Sequence, residues 1–364
     1  MSRIIQAAAA IAAVFFAAGA DAQVPQGYPA DYAKVIEGAK KEGKVVVYST
    51  TDASAANPLL RGFQAAFPGV ALEYSDLNST ELYSRFIAEV ASGSGTADLL
   101  WSSAMDLQVK LVADGNAATY ASPEIPALPK WAVWRNQAYG TTYEPIVFVY
   151  NKRLVPAADL PQDHPALLSL LTSKSAAYRS KITAYDPEKS GVGYLLVNED
   201  VKNFPPAWDL FRAFGKTGIK LYTSAGAMIE RVTSGEHTIA YGIFGSYALG
   251  RSKKTTNLGI ITPKDYTLVT SRVAFISGKA RNPNAARLFL DYVLSKRGQT
   301  IIGNQAELYS LRDDVVGEAT VKKVAEEVGD KVRPVPISEE LLANLDEGKR
   351  LDFLKKWQAA MKGQ

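Results

Sequence analysis

Apolar and polar positions in this chain fall in blocks rather than in strict alternation. Val45-Val46-Val47-Tyr48 is a continuous apolar, β-branched run, the pattern of a strand buried on both faces. Before it, Tyr32 to Glu42 reads as an amphipathic helix, and Gly43 supplies its stop. After it, Ser49-Thr50-Thr51-Asp52 leads to a helical stretch from Ser54 to Phe67, closed by Pro68-Gly69. The order then repeats: strand Val70 to Leu77, turn Asn78-Ser79-Thr80-Glu81, and a helix with Leu82, Phe86, Ile87 and Val90 on one face. It repeats again with strand Ala97 to Trp101, turn Ser102-Ser103 and a helix ending near Asp114-Gly115. Strand, polar turn and helix in succession predict βαβ units and a parallel sheet.

The pattern changes near Tyr139. A turn-rich segment, Tyr139 to Pro145, precedes a strand from Ile146 to Tyr150. Strands Ile182 to Tyr185 and Thr238 to Phe244 then alternate with helices Val192 to Asp200, Pro206 to Thr217 and Ser224 to Ser234, which predicts a second α/β lobe. Leu258 to Pro263 leads through Tyr266 to Ile276 toward a long helix, Ala285 to Ile302. If that return rejoins the first lobe, the chain crosses between lobes twice and leaves a cleft beneath a hinge. The expected division is a first lobe over 23–143, a second over 144–265, and a return with C-terminal helices over 266–364. The last helix, Ser338 to Met361, is expected to pack on a lobe surface through Leu341, Leu345, Leu351, Phe353, Leu354 and Trp357.

The first 22 residues have a different character. Arg3 precedes an apolar run from Ile4 to Ala18, too short to span a bilayer stably, and Ala20-Asp21-Ala22 has the small residues of a cleavage site. Residues 1–22 therefore read as a signal peptide and Gln23 as the first residue of an exported, periplasmic chain. The chain has no cysteine, which rules out disulfides, thiolate metal sites and cysteine nucleophiles. A formal charge of +4, with Lys and Arg scattered, gives no nucleic-acid-binding stripe.

Enzyme motifs fail one by one. No GxSxG elbow or Walker loop is present, and Gly191-Val192-Gly193 has Leu196 where a dinucleotide fingerprint needs its third glycine. The two histidines, His164 and His237, lack metal-ligand spacing. What recurs is a hydroxyl-rich turn between strand end and helix start: Ser49, Thr50 and Thr51; Asn78, Ser79 and Thr80; Ser102 and Ser103; Ser190 and Gly191. Helix starts offer unpaired N–H groups and a positive dipole end, so these turns suit an oxyanion at the carboxyl ends of the strands. Asn78 with Glu81 also reads as a plain capping box. Thr142, Tyr143 and Glu144 at the first crossing, Asp186 at a strand end, and Ser246 and Tyr247 after Phe244-Gly245 are further candidate ligand contacts.

Together these segments resemble a family. AKKEGKVVVYSTTD, DLNSTELYSRFIAEVASG, ADLLWSSAMDLQVKLVADG, YGTTYEPIVFVYNKRLV and NPNAARLFLDYVLSKRGQTIIGN followed by YSLRDDV are similar to the solute-binding proteins of bacterial ABC importers, in the group that takes up ferric iron, sugar phosphates and aminoethylphosphonate. The resemblance implies an α/β, two-lobed periplasmic-binding fold of type II with two interlobe crossings, hinge closure, a membrane permease as partner, and no cofactor. A monomer is expected. Ferric-binding members present two adjacent tyrosines, a histidine in the first turn and a helix glutamate. This chain has Phe244-Gly245-Ser246-Tyr247 with one tyrosine, Asp52 in the first turn, and Glu89 in the helix position. The reading favoured is therefore a small organic anion, an organophosphate or phosphonate, matched by hydroxyl-rich turns without a buried lysine or arginine. The alternative is ferric iron held by Tyr247, Asp52 and Glu89 with a synergistic anion. An enzyme on the same fold is the reading from another class, although the thiamin-degrading and tetrapyrrole-forming enzymes that resemble it use cysteine.

Overall fold

The apolar runs become buried strands, and the polar turns after them become helix starts. A computed structural model describes residues 24–306 and 308–364, so the expected signal peptide lies outside the described residues. In chain order, α1 (Ala33–Glu42) leads to β1 (Lys44–Ser49), α2 (Ala53–Ala66), β2 (Ala71–Asp76), α3 (Ser79–Ser92), β3 (Leu99–Ser102) and α4 (Met105–Ala113). Two short strands, β4 (Val133–Trp134) and β5 (Ala138–Gly140), complete this first part. Then come β6 (Glu144–Asn151), α5 (His164–Ser173), β7 (Ile182–Tyr185), α6 (Gly191–Asn203), α7 (Ala207–Thr217), β8 (Lys220–Tyr222) and α8 (Ala225–Ser234). They are followed by β9 (Ile239–Phe244), α9 (Gly245–Ser252), β10 (Leu258–Ile261) and β11 (Thr267–Thr270). The chain ends with β12 (Val273–Ile276), α10 (Pro283–Leu294), α11 (Lys296–Asn304), α12 (Val321–Val328), β13 (Val332–Pro334) and α13 (Glu347–Met361).

Among the described residues the strands form two sheets. The first has the order β2-β1-β3-β12-β5-β4, with β1 parallel to β2 and β3. The second has the order β13-β11-β6-β9-β7-β8, with β10 also paired to β6 and β7 parallel to β8 and β9. Both sheets are mixed: the expected parallel βαβ core is β2-β1-β3 in the first and β9-β7-β8 in the second, and β12, β5, β4, β6, β10 and β11 join antiparallel. Separate apolar clusters hold the lobes: Phe63, Phe289 and Trp101 belong to one around the first sheet, and Phe148, Phe211, Phe214 and Trp357 to one around the second.

The run from Tyr266 to Ile276 does not act as one return. It divides at Ser271-Arg272: β11 pairs with β6 in the second sheet, and β12 pairs with β3 in the first. The expected boundary at 265 thus leaves Thr267–Thr270 on the wrong side. Continuous burial hides a change of sheet here, because both halves are equally buried. The two crossing segments lie against each other. The Thr141 N–H donates to the Arg272 carbonyl at 2.9 Å, and the Arg272 N–H to Thr142 Oγ1 at 2.8 Å.

The C-terminal segment crosses between the lobes again. β13 joins the second sheet beside β11, and the Ile337 N–H then donates to the Trp131 carbonyl at 3.0 Å in the first lobe. Val335, Ile337 and Leu341 pack with Phe86, Met105 and Val109. α13 returns to the second lobe, where Trp357 meets Phe211 at 5.1 Å between ring centroids. The expected helix from Ser338 is in fact a 3-10 stretch, Glu339–Leu345, followed by α13, whose N-cap Asp346 accepts from the Lys349 N–H.

Asp106 in the first turn of α4 is fully buried. Its Oδ1 accepts the Leu107 N–H at 2.8 Å, and its Oδ2 has no partner among the described residues. Burial pushes this carboxyl up to about 7; the Leu107 N–H and Arg350 of α13 pull it down, and Glu199 of α6 pushes it up. Between the ordinary carboxylate range and that value the folded chain holds a proton that the unfolded chain has released. Its contribution to stability is therefore present at low pH and is lost as pH rises through the window. Asp106→Asn is expected to flatten the pH dependence of the urea midpoint between about pH 4 and about pH 7 and to raise the midpoint at the upper end, checked by chemical denaturation.

Candidate functional site

The carboxyl ends of the parallel strands of both sheets face one cleft, as open α/β topology requires. β1, β2 and β3 deliver Thr50, Asp76 with Asn78, and Ser103; β7, β8 and β9 deliver Tyr185, Thr223 with Ser224, and Phe244 with Tyr247. These residues line a cavity of about 180 Å³ together with Asp52, Leu77, Ser79, Glu81, Val192, Ala225 and Arg272. The starts of α2, α3 and α8 open toward it. A second interlobe cavity of about 440 Å³ lies on the other side of Asp52 and Tyr247, and Ser246 lines it.

Tyr247 connects the lobes. Its hydroxyl donates to Asp52 Oδ1 at 3.1 Å and accepts the Asp52 backbone N–H at 3.2 Å. Burial pushes this phenol up to about 12, Arg272 opposing and Asp52 adding to the shift, so at neutral pH it carries the proton it donates. Burial raises the Asp76 carboxyl as well; the Ala53 N–H it accepts acts against that and Asp52 acts with it.

The centre of the wall is a cation. Arg272 is 1% exposed and Glu144 0% exposed, and they meet through two contacts, Nε to Oε1 at 2.7 Å and Nη2 to Oε2 at 3.2 Å. Arg272 Nη1 donates to Thr51 Oγ1 at 2.9 Å, and its guanidinium faces the ring of Tyr247 at 5.2 Å. Burial opposes the charge on Arg272, but Glu144 outweighs burial and holds the guanidinium protonated. Ser246 donates to Glu144 from α9, and Thr142 Oγ1 donates to it at 3.0 Å. The pair therefore sits between the two crossings, with Thr51 contributed by the first lobe and Ser246 by the second. The expectation of hydroxyl-rich turns without a buried cation is corrected here. Its signal was in the chain: Arg272 is the one charge in the apolar stretch from Tyr266 to Ile276.

The other expected contacts divide into three groups. Thr50, Asp52, Asn78, Ser79, Ser103 and Tyr247 line the smaller cavity. Asn78 is also the capping residue, its Oδ1 accepting the Glu81 N–H at 2.9 Å, so the turn caps and faces the cavity at once. Ser79 is only 6% exposed, yet its hydroxyl has no hydrogen-bond partner among the described residues, and the same holds for Tyr185, also 6% exposed.

A second group builds the walls instead of lining them. Ser49 and Ser102 accept the N–H groups of Thr51 and Ala104, and Thr51 and Thr142 hold Arg272. Ser190 caps α6 by accepting the Gly193 N–H at 3.2 Å, and Asp186 accepts the Glu188 N–H. Thr80 Oγ1 donates across the cleft to the Lys189 carbonyl at 3.2 Å. Gly191 is needed for the lobes' close approach: a Cβ there would come within 2.7 Å of Leu107 Cδ1 and 3.2 Å of Ser79 Oγ.

Two residues stand apart. Tyr143 packs beside Trp131, and its N–H donates to the Tyr309 carbonyl at 2.9 Å. Glu89 is held by Arg85 at 2.8 Å and by the Tyr48 hydroxyl, and lines neither cavity, so it does not join Asp52 and Tyr247. Helical spacing alone could not tell which face of α3 meets the cleft. Residues that sequence reasoning missed are Arg272, Asp76, Tyr185, Thr223, Ser224 and the cavity-lining role of Glu81. Tyr185, Thr223 and Ser224 follow strand ends and were legible by the rule that found Ser79.

Two α/β lobes with the cleft at the strand ends and paired crossings between them define a periplasmic-binding fold. Residues 58–326 match the model of the bacterial extracellular solute-binding protein family, and the chain belongs to that family. It is 37% identical to the substrate-binding protein of an ABC transporter from Agrobacterium tumefaciens, over 89% of this chain and 97% of that one, with a TM-score of 0.83. The fold is shared with AfuA of Actinobacillus pleuropneumoniae bound to fructose-6-phosphate, at 20% identity over 88% of this chain and 99% of that one, with a TM-score of 0.69. It is shared equally with iron-bound HitA of Pseudomonas aeruginosa, at 20% identity over 87% and 99%, with a TM-score of 0.68. A curated but uncharacterized protein of Haemophilus influenzae is 26% identical over 147 residues, 38% of this chain and 41% of that protein, so the match spans about two fifths of the relative.

Arg272→Met leaves the Glu144 carboxylate buried without its cation and is expected to cost about 3–5 kcal/mol of stability. Arg272→Met with Glu144→Leu is expected to recover most of that loss. Urea denaturation of the two single variants and the double variant closes the cycle.

Proposed function

We propose that this protein is the periplasmic substrate-binding component of an ABC importer that captures a small organic oxyanion, an organophosphate or phosphonate, closes on it and delivers it to a membrane permease without catalysing a reaction. The observation that carries the solute class is Arg272 in the wall of the cavity that the unpartnered Ser79 hydroxyl also lines. Thr50, Ser103 and the N–H groups at the start of α3 line the same space. Arginine and oriented hydroxyls are the donors that recognise phosphoryl and phosphonyl oxygens. Closure brings Tyr247 of the second lobe onto Asp52 of the first and Thr80 onto the Lys189 carbonyl, contacts suited to a hinge built on the two crossings. The apolar run ending at Ala18 and the small residues before Gln23 support export with removal of residues 1–22.

A second reading has its own observation. Tyr185, Tyr247, Asp52 and Asp76 line one cavity, and phenolate with carboxylate oxygens suits ferric iron. The two readings separate in one experiment. A thermal-shift screen against sugar phosphates, alkyl phosphonates, dicarboxylates and ferric citrate should raise the melting temperature with the phosphorus oxyanions. Ser79→Ala with Ser103→Ala should then weaken their binding by about 1.5–3 kcal/mol for each charge-assisted hydrogen bond lost, read by calorimetry. Unchanged affinity in that variant, together with a coloured ferric complex that disappears in Tyr247→Phe, would establish the iron reading instead.

A further inference from the structure

The two interlobe cavities have two lining residues in common, Asp52 and Tyr247. These are the residues whose hydrogen bonds cross the cleft, so the Tyr247 side chain forms the wall between the cavities. The wall is held from behind. Its ring meets the Phe244 ring at 6.3 Å between centroids and the Arg272 guanidinium at 5.2 Å, and the neighbouring Ser246 donates to Glu144. The ion pair that joins the crossings therefore also fixes this phenol.

The two sides of the wall differ in kind. On one, the Arg272 guanidinium shares the space with the Ser79 and Tyr185 hydroxyls, which have no partner among the described residues. On the other, the larger cavity is lined by Ser54 and Gln305 from the first lobe and by Glu230, Arg251 and Lys254 from the second, all exposed. Among the described residues none of these five side chains makes a hydrogen bond or an ion pair. Arg251 stands one turn beyond Tyr247 on α9, about 6 Å further along the axis at 1.5 Å per residue. The acids on this side are Glu230 and Asp52, and Asp52 is already engaged by the phenol. Two cations thus lie close behind Tyr247, cut off from the third at Arg272.

We infer that Tyr247 is a specificity-determining residue: its phenol confines the solute to the Arg272 side, so that a second anionic group on a longer solute gains nothing from Arg251 and Lys254. This rests on the oxyanion reading above and adds a selection that Arg272, Ser79 and Tyr185 do not make. The selection works by exclusion, since the contacts a longer solute would use are present and the way to them is closed.

The test uses three probes: methylphosphonate, hexylphosphonate and 6-phosphonohexanoate, the last two differing only in a terminal methyl or carboxylate. Tyr247 packs against the second lobe's apolar cluster from its edge, so truncation leaves that core in place. In calorimetry at low ionic strength the unaltered protein is expected to gain no affinity from the terminal carboxylate. Tyr247→Ala should bind 6-phosphonohexanoate at least about tenfold more tightly than hexylphosphonate, a difference of about 1.4 kcal/mol. Arg251→Ser with Lys254→Ser in that background should abolish the gain. Tyr247→Phe, which keeps the ring, should behave as the unaltered protein does. A carboxylate gain in the unaltered protein that Arg251→Ser with Lys254→Ser removes would overturn the proposal. So would the absence of any gain in Tyr247→Ala while methylphosphonate still binds, and that result leaves the oxyanion reading standing. None of the three bound by the unaltered protein would overturn the oxyanion reading and this selection with it.

Discussion

The Arg272–Glu144 pair is the point on which the two halves of this molecule depend. Both side chains are removed from water, and Coulomb attraction between them only offsets the desolvation that burial imposes. An apolar pair of similar volume could fill the same space. What the ion pair adds is direction: Glu144 begins the strand that leaves the first crossing, and Arg272 lies in the second, so each fixes the other's position. Thr51 and Ser246 tie the pair to one lobe each. A displacement of either lobe is therefore felt at the guanidinium that also lines the smaller cavity.

That arrangement explains why the cleft combines an arginine with uncompensated carboxylates. The cation at its centre is committed to the architecture, and the remaining charge of the cavity lies on residues at helix starts. Asp52 and Asp76 flank α2, and Glu81 lies in the first turn of α3. Acidic residues there are stabilised by the helix ends whether or not a ligand is bound, so the cleft can carry them without an ion pair.

The sequence made the architecture readable because burial and periodicity coincide in it. Val45 to Tyr48, Ile182 to Tyr185 and the hydroxyl-rich turns after each strand fall in the structure close to where the pattern puts them. The sites of change did not announce themselves. Tyr266 to Ile276 is buried throughout, with Arg272 its one charge, yet it passes from one sheet to the other; continuous burial does not say which partner provides it. The same limit applies to Glu89, placed on α3 by spacing but turned toward Arg85 and Tyr48. Of the candidate site, residues at strand ends were legible. Arg272 stood out as the one charge in its stretch, but its role was not legible, because that role comes from a partner 128 positions away.

The C-terminal connection bears on how such a molecule can move. Two strands lying side by side form a joint that resists stretching but permits twisting as well as bending. A third, passing from β13 through Val335 and Ile337 beside Gly140, broadens the joint from a cord into a ribbon. A ribbon folds about its width and resists torsion. The lobes are thereby joined across a wider seam than two strands alone provide, with Tyr247 and Asp52 meeting on its cleft side.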